Sequence, residues 1–114
     1  MNQLPEFLEK SAVRRLDLFC QRAQQHPQRP RLIRYRVAGL KIYLFEVRRY
    51  LNRPHEFKEL PMALFRFSPE LNQWSLHHQH GDHWQLYLNI HPTLKFDNLL
   101  AAINQDPLGF FWRD

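Results

Sequence analysis

Between residues 29 and 53 the chain carries eight cationic side chains, Arg29, Arg31, Arg34, Arg36, Lys41, Arg48, Arg49 and Arg53, against one carboxylate, Glu46. The formal charge of the whole protein is +5, so basicity is gathered here, with +7 in this stretch and −2 elsewhere. Seven of the eight are arginines, whose flat fork of donors matches phosphate and carboxylate better than the point charge of lysine. The chemistry this asks for is recognition of an anion: nucleic acid, another polyanion, or an acidic protein.

Four histidines, His77, His78, His80 and His83, form a second cluster. On adjacent strands facing one side, His77 and His83 become diagonal neighbours about 7–8 Å apart. Two imidazoles with Asp82 or Tyr87 nearby are the beginning of a zinc or nickel site. Such sites take three or four ligands, and only His77 and His83 are placed, so no metal and no cofactor is assigned. A polar, solvent-facing hairpin is the plainer reading. Glu46, Arg48 and the histidines would suit a base, a charge stabiliser and an acid. There is, however, no H-E-x-x-H, no G-x-S-x-G and, with three glycines, no phosphate-cradling loop. Ser11, Ser68 and Ser75 have no motif around them, and Cys20 lies beside an apolar helix stripe where a thiol is packing. No catalytic residue is assigned.

The elements that position these residues follow from periodicity. Leu4, Leu8, Ala12, Leu16, Phe19 and Ala23 recur at helical spacing, with Pro5, Glu6 and Glu9 suiting the first turn. Pro27 and Pro30 end the helix. The period then becomes two: in residues 33–37 apolar side chains alternate with Arg34 and Arg36, as in a strand with one wet face. A two-residue turn at Ala38-Gly39 and a strand over 42–50 place Ile33, Tyr35, Val37, Leu40, Ile42 and Leu44 on one face. Arg34, Arg36, Lys41, Tyr43 and Phe45 then share the other. Residues 52–61 read as a polar loop, 62–67 as a third strand, 68–72 as a turn, and 74–78 and 84–90 as strands four and five. A three-residue loop, His80-Gly81-Asp82, would put Trp74, Leu76, Trp84, Leu86 and Leu88 on one face and Ser75, His77, Gln79, His83, Gln85 and Tyr87 on the other. Phe96, Leu99, Leu100 and Ile103 predict a short helix ending before Asp106-Pro107, and the aromatic tail 108–114 should pack on the body. The expected architecture is α+β: an N-terminal helix, a five-stranded antiparallel meander and a short C-terminal helix, with the helices on one sheet face.

The chain reads as a single domain, 1–114, large enough for a core. Its one cysteine, Cys20, cannot form an internal disulfide and points to a reducing compartment. Residues 1–6 lack a signal-peptide layout, and no apolar run approaches the roughly 20 residues of a membrane helix. A cytoplasmic protein with no membrane partner is expected.

Three segments resemble a family of small bacterial proteins catalogued as a domain of unknown function. Residues 39–46, Gly-Leu-Lys-Ile-Tyr-Leu-Phe-Glu, look like its second strand. Trp74, Trp84 and Tyr87 are similar to its fourth and fifth strands, and residues 106–112, Asp-Pro-Leu-Gly-Phe-Phe-Trp, resemble its closing signature. Arg48-Arg49 stands where the family often has Arg-Pro, and Gln85 where a histidine often follows the second tryptophan. The resemblance implies relatedness and no chemistry.

The functional expectation is therefore a binding module for an anionic partner, with Arg34, Arg36, Lys41, Arg48 and Arg49 contacting phosphate or carboxylate and Tyr43 as a stacking surface. The alternative is a homo-oligomeric interaction protein, a homodimer for instance, using the exposed sheet face with Tyr43, Phe45, Phe65 and Phe67 outward.

Overall fold

The computed structural model describes residues 2–113; Met1 and Asp114, the first residue of the N-terminal reading and the last of the aromatic tail, lie outside them. Helix α1 spans Glu6–Gln24 and buries Ala12, Leu16 and Phe19 at the spacing the sequence dictates. Strands β1 (Ile33–Ala38), β2 (Lys41–Tyr50), β3 (Arg53–Ser68), β4 (Gln73–His80) and β5 (His83–Leu86) form one antiparallel sheet in sequential order, and α2 covers Phe96–Gln105. The chain is α+β, as expected. No helix among the described residues is long and apolar enough to cross a membrane.

Both helices pack on one side of the sheet. Ile33, Ile42, Leu44, Ala63, Phe65, Phe67, Trp74 and Leu76 meet Leu16, Phe19, Phe96, Leu99 and Ile103 in a single core, and Phe111 of the tail closes it. Phe65 and Trp74 lie against Phe96, with ring centroids 4.7 and 5.0 Å away. Phe65 and Phe67 are thus fully buried beneath the helices and are not part of an outward patch.

Four local expectations are corrected. The first hairpin turns at Gly39-Leu40, since Ala38 pairs with Lys41 and Ile33 with Glu46. This moves the pairing by two residues, and a shift of two preserves every side chain's face. Gly39, at φ 61, supplies the left-handed conformation. The second correction is larger. Residues 53–61 are strand, and β2 and β3 continue beyond the body as a two-stranded arm ending at the exposed Leu51. Its charges and Pro54 suggested a loop because both faces of the arm are wet, which erases the period-two signal. Pro61 is tolerated because the register shifts between Leu44 and Phe45, leaving Met62 as an extra residue on β3.

The third correction concerns the histidine hairpin. His80 pairs with His83 across a two-residue turn, Gly81-Asp82, so the parity of β5 is reversed. Trp84 and Leu86 point away from the helices, on the side opposite Trp74 and Leu76. His77 and His83 lie on opposite sides of the sheet and cannot share a metal ion. Fourth, the strand ends at Leu86, and Tyr87 turns inward to become fully buried, its N–H donating to the Leu76 carbonyl at 2.9 Å.

Candidate functional site

Antiparallel partners share a face, so the ladder assigns each cation to a side. On the helix-free side one rank of side chains crosses all five strands: Arg36, Tyr43, Leu64, His77 and Leu86 are successive partners. Beside it runs Lys41, Arg66 and Ser75, and on its other flank Arg34, Phe45 and Pro61. With strands about 4.8 Å apart, the long rank spans about 19 Å. Arg49 and Phe57 face the same way farther along the arm. Five cations (Arg34, Arg36, Lys41, Arg49 and Arg66) therefore share this side with one carboxylate, Glu59.

Aromatic groups form the floor between them. Tyr43 and Trp84 lie on strands separated by two others, yet their ring centroids approach to 6.2 Å by leaning across the buried Leu64. The Arg36 guanidinium sits 4.7 Å above the Phe45 ring and pairs with Glu59 at 3.1 Å. That ion pair is exposed on both sides, which makes it weak and exchangeable. Arg49 lies 5.4 Å over Phe57. Arg34, Lys41 and Arg66 have no carboxylate partner among the described residues. Their field is felt by His77, whose imidazole is held below its usual proton affinity by burial first and then by Arg66, His78 and Lys41. Its Nε2 lies 2.9 Å from the Ser75 hydroxyl.

Arg48 is elsewhere. It shares the helical side with Glu46, whose buried carboxylate lies 3.0 Å from Arg48 Nη2 and 3.2 Å from Arg31 Nη1. Both guanidinium groups also donate to the Arg113 carbonyl. Arg48 and Glu46 thus clamp the C-terminal tail to β2. His77, on the other side of the sheet, cannot join them as an acid–base partner. His83 is exposed and paired with Asp82 at 2.9 Å, and no three of His, Cys, Asp or Glu converge among the described residues. The Cys20 thiol is pushed up to about 11 by burial and by the Asp17 carboxylate, so it stays protonated and unreactive at neutral pH.

The structure brings Arg34, Arg36, Lys41, Tyr43 and Arg49 to one side, as the sequence suggested. It adds Arg66 and Trp84, which the sequence reading missed. Turning Phe65 and Phe67 outward hid Arg66 between them. The Gly81-Asp82 dipeptide between two histidines was the available signal for a two-residue turn, and it would have placed Trp84 correctly.

Residues 4–113 match the family model of the domain of unknown function DUF3024. The chain belongs to this family. No curated protein and no solved structure matches it. Residues 106–112 have a structural role of their own. Asp106 adopts a left-handed conformation at the end of α2, and its carboxylate accepts from the N–H groups of Phe110, Phe111 and Trp112 at 2.8, 3.2 and 3.0 Å. Gly109, at φ 71, allows the turn, and the Trp112 indole donates to the Ile103 carbonyl at 3.0 Å.

Proposed function

We propose that this DUF3024 protein is a cytoplasmic binding module for single-stranded nucleic acid, which it receives on the helix-free side of the sheet. The observation that carries this reading is that Arg34, Lys41 and Arg66 flank Tyr43 and Trp84 while lacking any carboxylate partner among the described residues. Cations beside half-buried rings suit a flexible polyanion with stackable bases, because charge follows the backbone and rings receive bases. Arg36 and Arg49 extend the track, Arg36 by exchanging Glu59 for a phosphate. No cofactor or catalytic step enters this reading.

The test is fluorescence anisotropy with a labelled ten-nucleotide oligo-dT and oligo-U across a salt series. Five phosphate contacts predict a log–log slope of about −3.5. The triple variant Arg34→Ala/Lys41→Ala/Arg66→Ala should weaken binding and reduce the slope by about two. Absence of binding at about 50 mM salt, or an unchanged slope in the triple variant, refutes the proposal.

A homo-oligomer is the second reading, favoured by Leu51 and Phe57, which the arm exposes by 104% and 55%. A mass that rises with protein concentration and falls back in Phe57→Ser, without oligonucleotide binding, supports that alternative.

A further inference from the structure

A hollow lies on the other side of the molecule, between the two helices. It encloses about 980 Å3 and is lined by α1, α2 and the tail. On α1 the lining residues Arg15, Leu18 and Arg22 recur at helical spacing, with His26 just beyond its end; on α2, Asp97, Leu100, Ala101 and Asn104 do the same. The two stripes face each other across the groove. Phe19 and Trp112, stacked with centroids 5.9 Å apart, supply an aromatic wall. The Arg15–Asp97 pair, at 3.1 Å, bridges the helices at the start of α2. Trp112 is tied to Ile103 near the end of α2. The volume of the hollow lies at the upper end of the range for small-ligand pockets, about 300–1,000 Å3.

The charge of the lining is one-sided. Arg14, Arg15, Arg22, Arg29 and Arg31 line it, with Asp97 the single carboxylate among its described lining residues, and Arg31 is held by Glu46. Arg15 is committed to Asp97. Arg14 and Arg22 have no carboxylate partner among the described residues. A hydrophobic floor below unpaired guanidinium groups disfavours a bare inorganic ion, which gains nothing from the floor. It equally disfavours a neutral hydrocarbon, which leaves the cations unused.

We infer that the inter-helix groove binds a small amphiphilic anion, with an acyl or aromatic body on Phe19, Leu100 and Trp112 and a carboxylate or phosphate head held by Arg14 and Arg22. This site is independent of the nucleic-acid surface, since the sheet lies between them.

The experiment uses decanoate, decyl phosphate, decanol and inorganic phosphate as probes, with calorimetry and the Trp112 indole N–H resonance as readouts. Decanoate and decyl phosphate should bind and shift that resonance, decanol at least about tenfold more weakly, and inorganic phosphate not detectably. Arg14→Ala/Arg22→Ala should weaken decanoate about 10- to 100-fold, the worth of charge-assisted hydrogen bonds, without changing its thermal midpoint. Ala101→Trp, at an exposed position, should block the groove while leaving the charge intact. Equal affinity for decanol, an unmoved Trp112 resonance, or full binding by both variants overturns the inference. The oligonucleotide assay, repeated with saturating decanoate, should be unaffected, so either proposal can fail alone.

Discussion

Burial lowers the proton affinity of the His77 imidazole, and Arg66, His78 and Lys41 lower it further. In the unfolded chain the same group titrates near 6.5. Above that pH it is neutral in both states and does not oppose folding. As pH falls through 6.5 the unfolded chain takes up the proton first, so stability is lost until the lowered folded value is passed. His77→Gln should therefore lose less stability than the parent between about pH 7 and pH 5 in urea denaturation. Equal losses would mean that His77 is not the group responsible. The same imidazole reports on the proposed ligand. A phosphate near Arg66 and Lys41 offsets their charge, and the His77 proton affinity must rise. NMR titration with and without oligonucleotide should show an upward shift; a fixed value would place the ligand elsewhere.

At the scale of elements, the tail of α2 shows how a short motif becomes structure. Asp106 gathers three backbone N–H groups of the tail beyond α2, which seats Phe111 in the core and Trp112 on Phe19. Asp106→Ala should cost about 2–3 kcal/mol, with Asp106→Asn intermediate, measured by chemical denaturation. Much of the fold was legible because its elements have one wet and one dry face. The stripe from Leu4 to Ala23 and the alternation around Arg34 and Arg36 both report burial directly. The arm did not, because neither of its faces has a core to meet. The sides of Trp84 and Leu86 hung on one residue of loop length, which hydropathy does not encode. The candidate site was legible for β1 and β2, lost for Trp84 for that reason, and lost for Arg66 because Phe65 and Phe67 were turned outward. Arg48 was misjudged as surface charge because its partners, Glu46 and the Arg113 carbonyl, come together only through folding.

The whole molecule measures 47 × 28 × 28 Å, and the arm accounts for its elongation. Glu46 sits where the arm leaves the body, holding Arg31 and Arg48 and through them the tail. Removing it takes away the buried carboxylate that Arg31 and Arg48 share, so Glu46→Ala should cost about 3 kcal/mol, whereas Glu59→Ala at the exposed Arg36 pair should cost under about 1. Thermal unfolding of the two variants distinguishes them, and equal costs would contradict the clamp. The arm itself contains no buried side chain between Val47 and Leu60, so little opposes its local opening. The bond after Arg49 near its tip should therefore be the first that trypsin reaches, ahead of those after Arg14, Arg15 and Arg22 on the helix, while Arg53 is spared because Pro54 follows it. Because β2 remains laddered to β3 within the body, from Lys41–Arg66 to Leu44–Ala63, a single nick should yield two fragments that elute together and separate only in denaturant. The protein would then survive as a non-covalent pair of halves, a ready starting point for split-protein complementation.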